Sequence, residues 1–110
     1  MRVTNAMRPV HPGEILGEEL QELGLSAKSL AKALVVPTNR ITAILNGQRG
    51  ITADTALRLS RYFGTAPQLW LSLQQAYELR MAEIELGDDI AARIQPRDLA
   101  GSVGAEAIGR

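Results

Sequence analysis

His11 and Glu14 are the residues of this chain whose types and spacing could carry out proton transfer, with the imidazole as base and the carboxyl as acid. The sequence has no second histidine and no cysteine, which excludes disulfides and thiolate metal sites and argues against a zinc site. It also has no nucleophile beside a base and no glycine-rich phosphate loop. We therefore expect no enzymatic activity, no metal and no cofactor. We interpret His11 as a structural residue at the start of a helix.

A second kind of chemistry, the binding of a polyanion, is indicated by the distribution of charge. The 12 basic and 12 acidic residues cancel in total. Residues 24–50, however, carry Lys28, Lys32, Arg40 and Arg49 with no acid, whereas residues 14–23 carry four glutamates. A locally positive surface attracts nucleic acid even when the net charge is zero. The alternative interpretation is an ordinary solvated surface.

The elements that must position these residues are helices. Apolar residues repeat at helical spacing in five segments. Pro12 and Gly24 bound the first predicted helix, and Ser26 is the predicted N-cap of the second. The third begins at about Thr38 and the fourth after Thr52. The predicted inward faces are Leu16, Leu20 and Leu23; then Leu30, Ala31 and Leu34; then Ile41, Ile44 and Leu45; then Ala53, Ala56, Leu57, Ser60 and Phe63.

The fifth predicted helix is the longest, and it sets the domain boundaries. It follows a predicted capping box at Thr65–Gln68 and runs to about Leu86, with Gly87 as a break. We expect an all-α fold in which residues 12–86 form the domain and residues 1–11 an N-terminal arm. Residues 87–110 have few large apolar side chains, so they are predicted to be a flexible, poorly ordered tail unless a partner holds them, with a short helix around Asp89–Ile94 as an alternative.

The second and third helices, joined by a tight turn, have the pattern of a helix-turn-helix unit. Small Ala31 lies where the two helices cross closely, and the apolar positions are of the expected type. Val35 departs from the pattern, because glycine usually holds this turn position and a left-handed β-branched residue costs about 1–2 kcal/mol. Either the turn has another geometry or the second helix extends by one residue. The apolar set is Leu30, Ala31, Leu34, Val36, Ile41 and Ile44.

The third helix would then be a recognition helix, which enters the major groove and presents its N-terminal residues to base edges. Its outward side chains suit this role, because asparagine binds adenine, arginine binds guanine and methyl groups meet the thymine methyl. The predicted base-reading residues are Thr38, Asn39, Arg40, Thr42 and Ala43. The predicted phosphate-binding residues are Lys28, Lys32, Asn46, Gln48 and Arg49.

Several blocks of the sequence, in the same order, resemble the HigA antitoxins, which are phage-repressor-like helix-turn-helix proteins. The resemblance covers about residues 9–83. No apolar run approaches the roughly 18 residues of a membrane span and no signal-peptide h-region follows the N-terminus, so we expect a cytoplasmic protein with no membrane partner. The resemblance implies a dimeric antitoxin that binds operator DNA, represses its own operon and neutralises a RelE-like ribonuclease toxin. It also implies a dimer interface on the last helix, at Leu69, Trp70, Leu73 and Tyr77. The blocks are His11–Leu16, Leu45–Gly47, Arg49–Leu59, Phe63–Pro67, Trp70–Gln74 and Tyr77–Leu79.

Two other functions remain open from the sequence. One is a stand-alone repressor of the same fold without a toxin. The other is an adaptor that has lost DNA binding, which Val35 and Pro37 favour and the acid-free segment opposes. Trp70 and Tyr77 are the residue types that anchor interfaces, but they could equally cover the core of a small domain. The glutamates of the first helix are either a solvated face or a landing site for a basic toxin.

Overall fold

A computed structural model describes residues 8–97 of the chain. This part folds into five α-helices and contains no strand, which confirms the predicted all-α class. The helices are α1 (Pro12–Leu23), α2 (Ala27–Leu34), α3 (Thr38–Leu45), α4 (Ala53–Phe63) and α5 (Pro67–Arg93). Helices α2 and α3 pack on each other, α1 packs on α3, and α4 packs between α2 and α5.

All five helices contribute to one hydrophobic core. The predicted helix-turn-helix positions are confirmed, because Leu30, Ala31, Leu34, Ile41 and Ile44 are all buried and Val36 packs against them. Burial of each large apolar side chain contributes about 1.5–3 kcal/mol, so this set accounts for why α2 and α3 hold together. The rest of the core is Leu16, Leu20, Ile51, Ala56, Leu59 and Trp70.

Two predicted inward faces are partly wrong. Leu23 ends α1 with half of its surface exposed, because the chain turns away at Gly24. On α4 the buried residues include Thr55 and Leu59, while Ala53 and Leu57 are exposed. The α4 sequence has apolar residues on two sides, and its packing between α2 and α5 selects the side that carries Leu59.

Helix α1 begins in a way that removes His11 from the predicted arm. His11 is the N-cap, and its Nδ1 accepts a hydrogen bond from the Gly13 amide at 2.8 Å. The Glu14 carboxylate in turn accepts from the His11 amide at 3.4 Å and from Arg8 at 2.8 and 3.0 Å. Side chains at the N-terminus of α1 thus accept hydrogen bonds from the His11 and Gly13 amides, as in a capping box. Of the rest of the predicted arm, residues 8–10 are described and form neither helix nor strand, and residues 1–7 lie outside the described residues.

Helix α5 differs from its prediction at both ends. Its N-cap is Ala66, without a side-chain hydrogen bond, so the predicted capping box is wrong. The Thr65 hydroxyl instead accepts from Trp70 Nε1 at 3.2 Å. The helix passes through Gly87 and ends at Arg93, because one glycine costs a helix only about 1 kcal/mol. Residues 87–93 are therefore helical, and residues 98–110 of the predicted tail lie outside the described residues.

Candidate nucleic-acid interface

The turn between α2 and α3 keeps tight left-handed geometry in spite of its valine. Val35 has φ 59° and ψ 51°, and the amide of Val36 donates to the carbonyl of Ala31 at 3.0 Å. Neither sequence-based alternative for this turn holds. The other left-handed helix ends, at Gly24, Gly47 and Gly64, all use glycine. Val35 therefore carries about 1–2 kcal/mol of backbone strain, and its side chain is 79% exposed.

Helix α3 presents most of its predicted base-reading residues on the surface. Thr38 and Asn39 are exposed in its first turn, directly after Pro37, and Thr42 and Ala43 are partly exposed one turn later. The Thr42 hydroxyl donates to the Asn39 carbonyl at 3.3 Å. Within residues 8–97 no protein group binds the Asn39 side-chain amide. This amide is therefore free to pair with a base.

Arg40 is placed differently from its neighbours on α3. Its side chain is only 22% exposed, and its guanidinium donates to the Asp54 carboxylate at the start of α4. Its Nε atom is buried without a hydrogen-bond partner among the described residues. The structure thus separates Arg40 from the exposed base-reading candidates and directs it towards α4.

Asp54 and Arg58, which the sequence analysis missed, complete this group of charges. Arg58 Nε donates to both Asp54 oxygens, at 3.1 and 3.2 Å. Its Nη1 donates to the carbonyls of Leu34 and Val35 at 2.9 and 3.2 Å. Hydrogen bonds from Arg40, and next from Arg58, hold the pKa of Asp54 below its usual value. The i,i+4 spacing of Asp54 and Arg58 was a signal for their ion pair, but nothing in the sequence links them to the turn.

The predicted phosphate-binding residues remain on the surface. Lys28 and Lys32 are exposed on α2, and Asn46, Gln48 and Arg49 are exposed after α3. None of the ion pairs formed among residues 8–97 involves these two lysines or Arg49. Their positive charge is not neutralised by neighbouring carboxylates, so it is available to phosphates.

The loop that carries Arg49 is fixed to α5 by a contact that sequence reasoning missed. The Ile51 amide donates to Gln74 Oε1 at 2.8 Å. A Cβ atom on Gly50 would lie 2.7 Å from the Gln74 amide nitrogen, so this approach requires glycine or a shifted Gln74. No pattern in the sequence predicts a pair so far apart along the chain. Helix α5 thereby controls the position of the loop.

The predicted dimer residues on α5 occupy different environments. Trp70 is buried and packs near Phe63, with ring centroids 6.2 Å apart, so it belongs to the protomer's own core. Leu73 and Tyr77 are half-buried, and the rings of Tyr77 and His11 pack in a T-shaped arrangement with centroids 4.9 Å apart. Leu69 is exposed. A groove of about 470 Å³ runs between residues 8–10 and α5, and its apolar lining includes Val10, Ile15, Leu73, Ala76, Tyr77 and Leu79.

His11 and Glu14 do not form a proton-transfer site. The imidazole is buried with its Nδ1 occupied by the Gly13 amide. The hydrogen bond from Arg8 holds the pKa of Glu14 below its usual value, so this carboxyl stays ionised near neutral pH and cannot donate a proton. The pair acts as a helix cap.

Across residues 8–97, none of the helices is long and apolar enough to cross a membrane.

Comparison with known proteins agrees with this geometry. The helix-turn-helix family matches residues 16–70. Virulence-associated protein I of Dichelobacter nodosus is 62% identical over 80 residues, which span 72% of this chain and 74% of that protein. An addiction module antidote protein of the HigA family from Coxiella burnetii has a TM-score of 0.81 at 59% identity, over 82% of this chain and 99% of the other.

A second solved structure, the Pseudomonas aeruginosa antitoxin HigA with the higBA promoter, has a TM-score of 0.81 at 46% identity, over 83% of this chain and all of that one. This chain thus shares its fold with HigA proteins. It also has the tight turn, the exposed face of α3 and the buried core of a helix-turn-helix unit. The chain belongs to the helix-turn-helix family and, within it, to the HigA antitoxins.

Proposed function

We propose that this protein is an antitoxin that binds its operator as a homodimer, represses its own operon and neutralises a RelE-like mRNA-cleaving toxin. The observation that carries the DNA-binding part is the exposed face of α3 beside a surface of unpaired cations. The Pseudomonas aeruginosa relative was solved with promoter DNA, which supports DNA binding by this chain.

Base reading is assigned to the exposed residues of α3. The free Asn39 amide can form two hydrogen bonds with one adenine. Thr38, Thr42 and Ala43 offer methyl groups to thymine, and the two hydroxyls can bind either base edge. Lys28, Lys32 and Arg49 would neutralise phosphates, with Asn46 and Gln48 as neutral donors.

A homodimer would double this small interface and read two half-sites one DNA turn, about 34 Å, apart. Helix α5 supports such pairing, because it carries exposed apolar side chains where no protomer element covers them. Leu69, Leu79 and Ile90 are examples, each between 46% and 61% exposed. Trp70, which lies in the core, has no part in this interface.

The toxin partner is supported by the relatives that are named antitoxins or antidotes. An enzyme that cleaves messenger RNA binds a polyanion and therefore carries basic surface. Glu18 and Glu22 are exposed on α1 and form no ion pair among the described residues. They are our candidate for contact with such a toxin.

The first test is co-expression of the chain with its adjacent open reading frame, scored for a purified complex and for rescue of growth. A stable complex with rescue supports the antitoxin. No complex and no toxicity would leave a stand-alone repressor.

The DNA-binding part is tested on duplexes that the unaltered protein selects from a random pool. With about three phosphate contacts per subunit, the affinity of a dimer should fall with salt at a log–log slope of roughly −5. Asn39→Ala should cost about 1–3 kcal/mol and relax the preference at one adenine. Gln21→Ala, which alters an exposed residue of α1, is the control and should change neither. A slope near zero would instead indicate an adaptor.

A further inference from the structure

Three charged side chains join the turn, the recognition helix and α4, and we call them the Arg40–Asp54–Arg58 clamp. We propose that this clamp holds α3 at the angle at which it enters the groove, and that Arg40 acts as a positioning residue and not as a base reader. The proposal rests on the proposed DNA binding, but it also makes a claim about the free protein that can be tested without DNA.

The first support comes from the turn itself. A strained residue such as Val35 persists only where surrounding structure holds it in place. At Gly24, Gly47 and Gly64 the chain adopts the same left-handed conformation without strain. At Val35 the support comes from α4. The guanidinium of Arg58 donates hydrogen bonds to the carbonyls of Leu34 and Val35, at the end of α2 and in the turn. Arg58 therefore fastens the strained segment to α4.

The second support is the position of Asp54. It lies in the first turn of α4, where the helix dipole favours a carboxylate. It accepts hydrogen bonds from Arg58 on its own helix and from Arg40 on α3. One carboxylate thus links the arginine that holds the turn to the arginine of the recognition helix. The main packing of α3 is on α1 and α2, so the clamp adds a polar connection to α4.

The third support is the orientation of Arg40. Thr38 and Asn39 are exposed, whereas the Arg40 side chain is 22% exposed and its Nε is buried. To reach a base, Arg40 would have to leave Asp54 and move its buried Nε atom into solvent. The geometry therefore favours an arginine that holds α3 against α4 through Asp54, while Thr38 and Asn39 face the groove.

Asp54→Asn separates the alternatives most sharply. The substitution removes a negative charge close to the proposed interface and releases Arg40. Electrostatics alone, or base reading by Arg40, would then give tighter binding to DNA. The clamp predicts the opposite. Affinity should fall about tenfold for every duplex, because Asp54 no longer couples Arg40 to Arg58 and α3 is no longer held at its angle to the groove. Arg61→Met removes a positive charge from an exposed residue of the same helix, so it is the matched control for Arg40→Met and Arg58→Met.

Affinity would be measured on the selected duplex and on each duplex that differs from it by one base pair. The proteins compared are the unaltered chain and the variants Asp54→Asn, Arg40→Met, Arg58→Met and Arg61→Met. The clamp predicts that the first three variants lose affinity uniformly, keep the base preference, and are not additive in combination. Tighter binding by Asp54→Asn, or loss of preference at one base pair in Arg40→Met, would overturn the proposal.

Hydrogen exchange on the free protein gives a readout that does not depend on DNA. Asp54→Asn should speed exchange of the Val36 amide and of the α3 amides relative to those of α1, and Arg61→Met should not. Unchanged exchange in α3 would overturn the clamp. If the unaltered chain selects no duplex, the proposed function fails, while the exchange result still decides whether the clamp exists.

Discussion

Gly13 is a residue of α1 that lies directly against the backbone of α3. A Cβ atom at this position would lie 1.9 Å from the Ile44 carbonyl oxygen, far inside contact distance. Gly17 lies one turn later in the same helix. A Cβ atom there would lie 3.8 Å from the Leu45 Cδ2 atom, an ordinary contact distance. Two glycines of one helix thus have opposite roles, because one allows packing and the other only weakens the helix.

Alanine substitutions should therefore move stability in opposite directions. Gly13→Ala must push α1 away from α3, and we expect a loss of roughly 2 kcal/mol or more, in the range of overpacked cores. Gly17→Ala should increase stability by about 0.5–1 kcal/mol, since alanine is the better helix former. The free energy of unfolding in urea checks both. Equal effects of the two substitutions would contradict the close contact seen at Gly13.

The Asp54 carboxylate predicts a dependence of stability on pH. Its pKa is lowered in the folded protein from an ordinary value of 3.8, by the hydrogen bonds from Arg40 and Arg58. A carboxyl with a lowered folded pKa stabilises the protein above its unfolded pKa, and this contribution is lost as pH falls through the folded value.

We expect the contribution of Asp54 to the free energy of unfolding to be constant near pH 7 and to decrease below about pH 4. Asp54→Asn should be less stable at pH 7 and should show a shallower decrease in acid. Glu14, whose pKa Arg8 lowers in the same way, contributes a parallel decrease that remains in the variant. Denaturant titrations at several pH values measure this, and identical acid profiles for the two proteins would contradict it.

At the scale of elements, Gln74 connects α5 to the loop that follows the recognition helix. Its Oε1 accepts from the Ile51 amide at 2.8 Å, and its Nε2 donates to Glu78 at 2.8 Å. The loop between α3 and α4 carries Arg49, which we assign to phosphate. A change in α5 can therefore reach the proposed DNA-binding surface through one side chain.

Gln74→Ala should leave the Ile51 amide without its partner, at a cost of about 1–3 kcal/mol for an unsatisfied buried donor. We also expect weaker binding to DNA of any sequence, because the loop is no longer held. Gln75→Ala, at the exposed neighbouring position, should change neither quantity. Thermal unfolding and duplex affinity give the two readouts. If Gln74→Ala had the same stability and DNA affinity as Gln75→Ala, the proposed link between α5 and the loop would be contradicted.

The elements also show what sequence reasoning can and cannot reach. Positions such as Leu30 and Ile44 were predictable because helical spacing and residue type agreed on one buried face. Leu57 was assigned to the core and Leu59 was missed, since α4 is apolar on two sides and only packing selects between them. Arg40 was assigned to bases by residue type, and its pairing with Asp54 depends on how α3 and α4 meet, which no local pattern encodes.

At the scale of the whole molecule, α5 is its longest element, with 27 residues and a length of about 40 Å. Its buried face includes Trp70, while a second face stays exposed along its length. On that face Leu79, Leu86 and Ile90 recur at i, i+7 and i+11, the spacing of one side of a helix. A stripe of apolar side chains on a helix is typical of an interface with another chain. A second copy bound through this stripe would give the two recognition helices that an operator with two half-sites requires.

Leu79→Glu should place a charge in that interface and produce a monomer, because burying an unpaired carboxylate is costly. Leu57→Glu is the control, since Leu57 is 59% exposed on α4 and Leu79 is 61% exposed on α5. We expect sedimentation to give a dimer for the unaltered chain and for Leu57→Glu, and a monomer for Leu79→Glu. The monomer should bind DNA with a salt slope of about −3, against roughly −5 for the dimer, because it makes half the phosphate contacts. A dimeric Leu79→Glu protein together with a monomeric Leu57→Glu protein would move the interface from α5 to α4.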